Sequence, residues 1–196
     1  MKNFPFLLAT DNLDAVFFDF DGVLVDSVPI KLDAYREIFQ PFGEGAVREI
    51  TEYHLANGGV DRYRKIEYVL QKFSIPHENL QPLARQFANL VKDRVISANA
   101  IPGMVELAQF LSERNIKSFI VSGTPEYELV EIVQKRGWKS LFSGVHGSPS
   151  TKVEICNTLL ESHNLSPSRT LFIGDASTDF HTARECKLWF IGVPFE

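Results

Sequence analysis

The chain has 196 residues, of which 44% are hydrophobic, and its formal net charge is -5 at pH 7. That length accommodates one domain with a good core, or a domain that carries a sizeable insertion. The composition argues against a nucleic-acid partner, because there is no basic excess, and against a membrane span, because no apolar run is long enough. Met1 to Leu8 do not form a convincing signal peptide, and Cys156 and Cys186 lack metal-type spacing, so we expect reduced thiols and a cytoplasmic protein.

The first predicted strand, 15–20, follows a short lead-in over residues 1–13. Its apolar run is rich in Phe and Val and too short for a buried helix, which favours a fully buried strand of a parallel sheet. Asp19 and Asp21 close the run, and Gly22 predicts a sharp turn at the carboxyl end of the strand, where open α/β sheets bind ligands. Two buried carboxylates need a proton or a cation, and Mg2+ suits oxygen ligands. Taken alone, the pair is equally compatible with a strand end in a solvated loop.

A block of four predicted helices follows and interrupts the strands. Helical periodicity, with glycines and prolines between the segments, indicates helices at about 30–39, 47–55, 60–73 and 83–96. Ser27 and Pro29 are typical of an N-cap and a first helical turn. No stretch between residues 28 and 98 has the pattern of a strand, so this block is an insertion into an α/β chain.

Strands and helices alternate again after Ile101. Thr124 and Pro125 are typical of the N-cap and first residue of a helix. The alternation implies a parallel sheet with helices on both faces. The predicted strands lie at 118–121, 144–146, 168–175 and 188–193, and the predicted helices lie at 104–114, at 126–136, and after Lys152 and Asp175.

The strand ends carry the residues that we expect to act together, since parallel strands share one carboxyl edge. The set suits chemistry on a phosphate. The acids can hold Mg2+, while a hydroxyl, backbone N–H groups and a lysine can hold phosphoryl oxygens. One carboxylate is then free to attack phosphorus, and another can move protons. Each residue alone has an ordinary structural explanation, but the ordered set is harder to obtain by chance. The set is Asp19 with Asp21, Ser122, Lys152, and Asp175 with Asp179.

Four motifs resemble those of the haloacid dehalogenase superfamily, in its phosphatase branch. They are Asp19–Ser27, Val121–Thr124, Ser148–Lys152 and Gly174–Asp179. The first motif is highly specific and the third is weak alone, and Ala176 stands where a serine is common. The resemblance implies an α/β fold with a Rossmann-like core, formed by 1–27 and 99–196, and an inserted α-helical cap, formed by 28–98.

The resemblance also implies a mechanism. Asp19 attacks the phosphorus of a bound monoester and becomes an aspartyl-phosphate. Asp21 protonates the leaving alkoxide and then activates the water that hydrolyses this intermediate. Mg2+ is held by the Asp19 carboxylate, the Asp21 backbone carbonyl and Asp175, while Asp179 orients a water on the metal or Lys152.

Two regions are expected to bind the substrate. The core residues that hold the phosphoryl group are Gly22, Ser122, Gly123 and Lys152. On the cap, Asn57–Lys65 resembles the cap loop of β-phosphoglucomutase-like enzymes. There Gly59 lets the backbone approach the ligand, and Arg62 binds a second anionic or hydroxylated group. The alternative is that Arg62, Arg64 and Lys65 form a solvated helix face.

Two further cap residues enter the interpretation. The mutase pattern carries a histidine where this chain has Lys31, which favours simple hydrolysis over mutase activity. Lys31 is equally compatible with the seam between cap and core and with a plain surface position. His54 lies near the cap loop, and we interpret it as structural rather than catalytic.

We therefore predict a Mg2+-dependent phosphatase that acts on a small phosphorylated metabolite, either a sugar phosphate or a phosphoglycolate-like acid. A sugar phosphomutase remains an alternative, as does a phosphonate hydrolase that uses Lys31 for Schiff-base chemistry. From another class, a phospho-aspartate signalling module also combines acids, a hydroxyl and a lysine, although receiver domains have a different chain order and no helical insert. A regulatory relic and a dehalogenase are disfavoured, because every catalytic position is filled and dehalogenases lack Asp21.

Overall fold

The structure is a computed structural model, and it describes residues 13–194. The predicted lead-in therefore lies outside the described residues except for Leu13. Within this range the strands are β1 Ala15–Phe18, β2 Lys117–Pro125, β3 Gly144–Ser148, β4 Thr170–Gly174 and β5 Trp189–Gly192. The helices are α1 Val28–Phe39, α2 Glu44–Ala56, α3 Arg62–Lys72, α4 Leu80–Ser97, α5 Met104–Glu113, α6 Glu126–Lys135, α7 Lys152–Ser162 and α8 Ser177–Glu185. None of the helices in 13–194 combines the length and apolar character that crossing a membrane requires.

The strands form one parallel sheet in the order β3-β2-β1-β4-β5. β1 is central, with Phe17 opposite Phe119 of β2 on one side and Phe172 of β4 on the other. Because all strands run in one direction, their carboxyl ends meet at one edge. The predicted parallel sheet is confirmed, and the four motifs lie at the carboxyl ends of β1, β2, β3 and β4 along that edge.

Alternate residues of β1 point to opposite faces of the sheet, as a strand requires. Ala15 and Phe17 belong to an apolar cluster with side chains of α7 and α8. Val16 and Phe18 belong to a second cluster that includes side chains of α5 and α6. The sheet is therefore covered on both faces, and the predicted α/β class with a Rossmann-like core is confirmed.

Helices α1 to α4 form the inserted helical cap that the sequence predicts. α1 packs against α2 and α4, and α3 packs against the same two helices. The chain leaves and re-enters the core through adjacent segments, since Asp26 N donates to Asn99 O and Ile101 N donates to Leu24 O. The cap thus has two neighbouring connections to the core. The boundaries between cap and core, between residues 27 and 28 and between 98 and 99, stay a prediction.

Two local expectations were wrong, and a third was confirmed in position only. β1 ends at Phe18 rather than at residue 20, so Asp19 already belongs to the loop. Thr124 is not the N-cap of α6, because β2 continues to Pro125, which pairs with Ser148 of β3, and the helix begins at Glu126. Ser27 does occupy the N-cap position of α1, but its hydroxyl makes no capping hydrogen bond there.

Candidate active site

Asp19 lies at the carboxyl edge of the sheet, one residue beyond β1, and is 2% exposed. Its Oδ1 accepts a hydrogen bond of 2.7 Å from Phe20 N, and its Oδ2 lies 2.9 Å from Lys152 Nζ. Burial and the neighbouring Asp179 carboxylate raise the pKa of Asp19 well above its usual value, despite Lys152. Keeping Asp19 ionised therefore requires more positive charge than Lys152 supplies.

Lys152 is the first residue of α7, held there by a capping box between Thr151 and Glu154. Its Nζ donates a 2.6 Å hydrogen bond to Asp179 Oδ1, and Asp179 Oδ2 accepts from Ala176 N at 3.1 Å. Burial alone would lower the pKa of Lys152, but the Asp179 and Asp19 carboxylates raise it. Lys152 is therefore a fixed cation, and Asp179 orients it, one of the two roles expected for Asp179.

Three carboxylates meet beside Lys152. Asp19, Asp175 and Asp179 each offer an oxygen, and these oxygens lie within 4.8 Å of one another. Burial and the Asp179 carboxylate raise the pKa of Asp175 to about 6. Three acids facing one lysine leave negative charge that a hard divalent cation with oxygen ligands would neutralise, so the residues fit Mg2+.

Gly22 makes this arrangement sterically possible. Its φ of +77° lies in the left-handed region, and a Cβ built there would stand 2.3 Å from Asp175 Oδ2. A side chain at this position would be strained and would displace the Asp175 carboxylate. The sequence places Gly22 correctly in a sharp turn, and its contact with substrate stays a prediction.

The carboxylate of Asp21 is fully engaged in the structure. Its Oδ1 accepts from Ser27 Oγ at 2.6 Å, and its Oδ2 accepts from Lys31 Nζ at 2.5 Å and from Thr124 Oγ1 at 3.1 Å. Burial alone would raise the pKa of Asp21, but the Lys31 ammonium and the two hydroxyls hold it below its usual value. Lys31 belongs to α1 and pairs with Asp21 of the core, so of the two positions left open for it the structure has the seam between cap and core.

The cap loop rests directly on the carboxyl end of β2. Ser122 is buried, and its Oγ accepts a 3.1 Å hydrogen bond from Thr124 N. A Cβ built at Gly123 would lie 2.2 Å from Gly59 O, so only glycine permits this contact. Gly59, with φ of +76°, would in turn place a Cβ 2.9 Å from Lys152 Nζ. The structure therefore brings Gly59, Gly123 and Lys152 together, as the sequence predicts.

Two cavities flank the cap loop. The larger, of about 370 Å³, lies between the cap and the sheet edge, and its wall includes Asp21, Lys31, His54, Lys65 and Asp175. The smaller, of about 250 Å³, lies on the other side of the loop and is lined in part by Ser122, Ser150, Thr151, Lys152 and Thr178. Both cavities reach the carboxyl edge, so together they offer room for a phosphoryl group and for the group it is attached to.

Arg62 and Arg64 begin α3 but lie in different environments. Arg62 is buried and forms an ion pair with Glu128 of α6, and its guanidinium lies 5.1 Å from the ring centre of Phe87. Its charge is thus already partnered across the seam, although the residue lines the larger cavity. Arg64 is exposed, as a solvated helix face requires.

Lys65 contradicts the prediction of a solvated face, because it is only 2% exposed. Its Nζ lies 2.9 Å from His54 Nδ1, and burial together with the Lys65 ammonium lowers the pKa of His54 to about 3. A helical period already places Lys65 with the buried Arg62, Ile66 and Val69 on one face of α3. That period was the signal that sequence reasoning missed.

Comparison with known proteins assigns the family. The haloacid dehalogenase-like hydrolase model matches residues 16–193. The phosphorylated carbohydrates phosphatase of Thermotoga maritima is 23% identical over 185 residues, which cover 90% of this chain and 82% of that protein. The phosphoglycolate phosphatase of Synechococcus elongatus is 25% identical over 183 residues, which cover 92% of this chain and 84% of that protein.

Solved structures share the fold. β-Phosphoglucomutase of Clostridium difficile superposes with a TM-score of 0.78 at 20% identity, covering 93% of this chain and 85% of that one. A hydrolase of Pseudomonas syringae superposes with a TM-score of 0.75 at 21% identity, covering 91% and 83%. The family model spans nearly the whole described range, and the motifs converge on one sheet edge. This chain therefore belongs to the haloacid dehalogenase-like hydrolases.

Proposed function

We propose that this protein is a Mg2+-dependent phosphatase that hydrolyses a small phosphate monoester through an aspartyl-phosphate on Asp19. One observation carries the proposal: a buried Asp19 lies 2.9 Å from the Lys152 ammonium, with Asp175 and Asp179 beside it at the same sheet edge. A nucleophile, a fixed cation and a cation-binding acid cluster are the parts that phosphoryl transfer needs. The similarity to proteins named phosphatases supports the same reaction.

In the first half-reaction, a carboxylate oxygen of Asp19 forms a bond to phosphorus as the ester P–O bond breaks. The leaving alkoxide takes a proton from Asp21. Lys152, the Ser122 hydroxyl and the Gly123 N–H hold the phosphoryl oxygens. In the second half-reaction, Asp21 takes a proton from water as that water attacks phosphorus, which releases phosphate and restores the Asp19 carboxylate.

Bound Mg2+ would be held by the Asp19 carboxylate, the Asp21 carbonyl and Asp175, and it would neutralise charge on the phosphoryl group. Asp179 holds Lys152 at 2.6 Å and so fixes the cation that faces Asp19. Asp21 must be protonated to act as an acid, whereas the Lys31 ammonium favours its ionised form. Because Lys31 lies on the cap, we expect the proton step to depend on the position of α1.

The substrate is a small sugar phosphate or a phosphoglycolate-like acid, bound with its phosphoryl group at Asp19 and its remainder under the cap. The larger cavity, of about 370 Å³, has room for such a remainder. The alternatives give different products: a mutase would return a phosphorylated sugar, and a phosphonate hydrolase would not act on monoesters. Release of inorganic phosphate from a monoester separates the phosphatase from both.

The direct test is the turnover of p-nitrophenyl phosphate by the purified chain with Mg2+. We expect activity that excess chelator removes and that added Mg2+ restores. Asp19→Asn should lower kcat by about a thousandfold or more, because the nucleophile is lost. Asp26→Asn is the matched control, since Asp26 is an exposed acid of the same motif, and it should leave kcat unchanged. Comparable turnover by Asp19→Asn and wild type would refute the proposal.

A further inference from the structure

Three basic side chains of the cap line the larger cavity, and two of them already have carboxylate partners. Lys31 pairs with Asp21, and Arg62 pairs with Glu128. Lys65 is more deeply buried than either, at 2% exposed, yet within residues 13–194 no carboxylate lies within ion-pair distance of its Nζ. A buried ammonium without a counter-charge is unfavourable, so its position in a cavity wall calls for an explanation.

The first turn of α3 is rich in basic side chains. It carries Arg62, Arg64 and Lys65 and no acidic residue. Arg62 pairs with Glu128, and Arg64 lies 3.5 Å from the carboxylate of Asp61, which precedes the helix. Among these three, Lys65 is thus the one without an ion pair in the described part of the chain.

His54 holds Lys65 without neutralising it. Nδ1 of His54 accepts from the ammonium, which leaves the imidazole neutral and fixes Nζ in the wall of the cavity. Burial and the Lys31 ammonium lower the pKa of Lys65 to about 7. An anion in the cavity would restore the charge of Lys65, so the arrangement gains free energy from such a ligand.

We propose that Lys65 recognises a second anionic group on the substrate, and that it selects small phosphate monoesters carrying another acid over neutral sugar phosphates. This inference rests on the proposed phosphatase function and names the substrate class for the same site. The larger cavity is lined by Asp21 and Asp175 beside the phosphoryl site and by Lys65 in the cap, so a short molecule that occupies it meets both. A carboxylate and a second phosphate have the required charge in common.

Three substrates test the proposal: phosphoglycolate, ethylene glycol bisphosphate, and 2-hydroxyethyl phosphate as the neutral match. Wild type should favour at least one of the acid-bearing compounds by about 10- to 100-fold in kcat/KM, the range expected for one charged hydrogen bond. Lys65→Met should remove that preference, because kcat/KM for the acid-bearing compound falls far more than kcat/KM for the neutral compound. Lys72→Met, on the exposed face of the same helix, is the matched control and should keep the preference. The acid that wild type favours identifies the group that Lys65 binds.

The outcomes distinguish this inference from the function on which it rests. A wild type that favours the neutral compound, or a Lys65→Met variant that loses activity equally on all three compounds, would overturn it while the phosphatase stands. If none is hydrolysed, turnover of p-nitrophenyl phosphate still decides about the phosphatase, and calorimetric binding of the same compounds to Asp19→Asn, with and without Lys65→Met, decides about Lys65. If an acid-bearing compound binds more tightly than the neutral compound, and this difference is lost with Lys65→Met, the inference is supported. If the compounds bind equally, the inference is overturned.

Discussion

Lys152 and Lys65 are both buried lysines, yet their surroundings shift their pKa in opposite directions. At Lys152 the Asp179 and Asp19 carboxylates outweigh burial and raise the pKa. At Lys65 burial and the Lys31 ammonium lower the pKa to about 7. Lys152 is thus a permanent cation for the phosphoryl group, whereas the charge of Lys65 depends on pH and on what fills the cavity.

The lowered pKa of Lys65 predicts a pH-dependent cost to stability. Below about pH 7 the folded protein must bury a charged Lys65, and this penalty disappears as the pH rises to the ordinary lysine value of 10.5. Lys65→Met should therefore stabilise the fold by about 1–4 kcal/mol at pH 6, and by much less at pH 9.5. Urea denaturation at both pH values measures this, with Lys72→Met as the control. A Lys65→Met variant that is destabilised equally at both pH values would refute the burial account.

Two residues of the site escaped prediction from the sequence, each because a tertiary contact overrides a local pattern. Thr124 before Pro125 is typical of a helix start, but β3 extends the pairing of β2 through Pro125 and directs the Thr124 hydroxyl to Asp21. Lys65 follows other basic residues and resembled a surface position, whereas the inner face of α3 buries it. In contrast, the strand-end acids were predictable, because a short apolar run ending in acids is itself a local signal.

At the scale of elements, the cap loop at 57–61 fits against the end of β2 because glycines remove the side chains between them. Gly59 lies against both Gly123 and Lys152, and Gly58 O accepts a hydrogen bond from Thr178 Oγ1 of α8. Gly59 also lines both cavities, so this contact shapes the space between cap and phosphoryl site. Element order and the α/β alternation were predictable from periodicity, but this fit was not, since Gly58 and Thr178 are 120 residues apart.

Gly59→Ala tests the loop contact. An added Cβ would stand 2.5 Å from Thr178 Oγ1 and 2.9 Å from Lys152 Nζ, so the cap loop must move away from the core. We expect kcat/KM on a small phosphate monoester to fall by about tenfold or more, because a misplaced group near the reacting atoms is costly.

Gly43→Ala provides the matched control for that variant. Gly43 also has a positive φ, of +91°, but a Cβ there meets nothing within 4 Å. Both variants should lose some stability through backbone strain, and only Gly59→Ala should lose activity. Equal kinetics for the two variants would show that the loop contact has no part in catalysis.

On the scale of the whole molecule, four separate segments supply one site because β1 lies at the centre of the parallel sheet. β2 and β4 flank it, so the segments after these strands, and Lys152 after β3, converge on Asp19. The cap closes over this edge through the ion pair of Arg62 with Glu128, 66 positions along the chain, and through Lys31 with Asp21. The sequence predicts that a cap exists, but its orientation depends on such distant pairs, which no local pattern reveals.

The most direct test of the central claim is to trap the phosphoryl group on the protein. The chain is mixed with a 32P-labelled monoester and Mg2+, quenched in acid within milliseconds, and mapped by peptide mass spectrometry. The mechanism predicts acid-stable, base-labile label on the peptide that contains Asp19, and none in Asp19→Asn. Phosphate release with no label on the wild-type chain, or label on a residue other than Asp19, would contradict it.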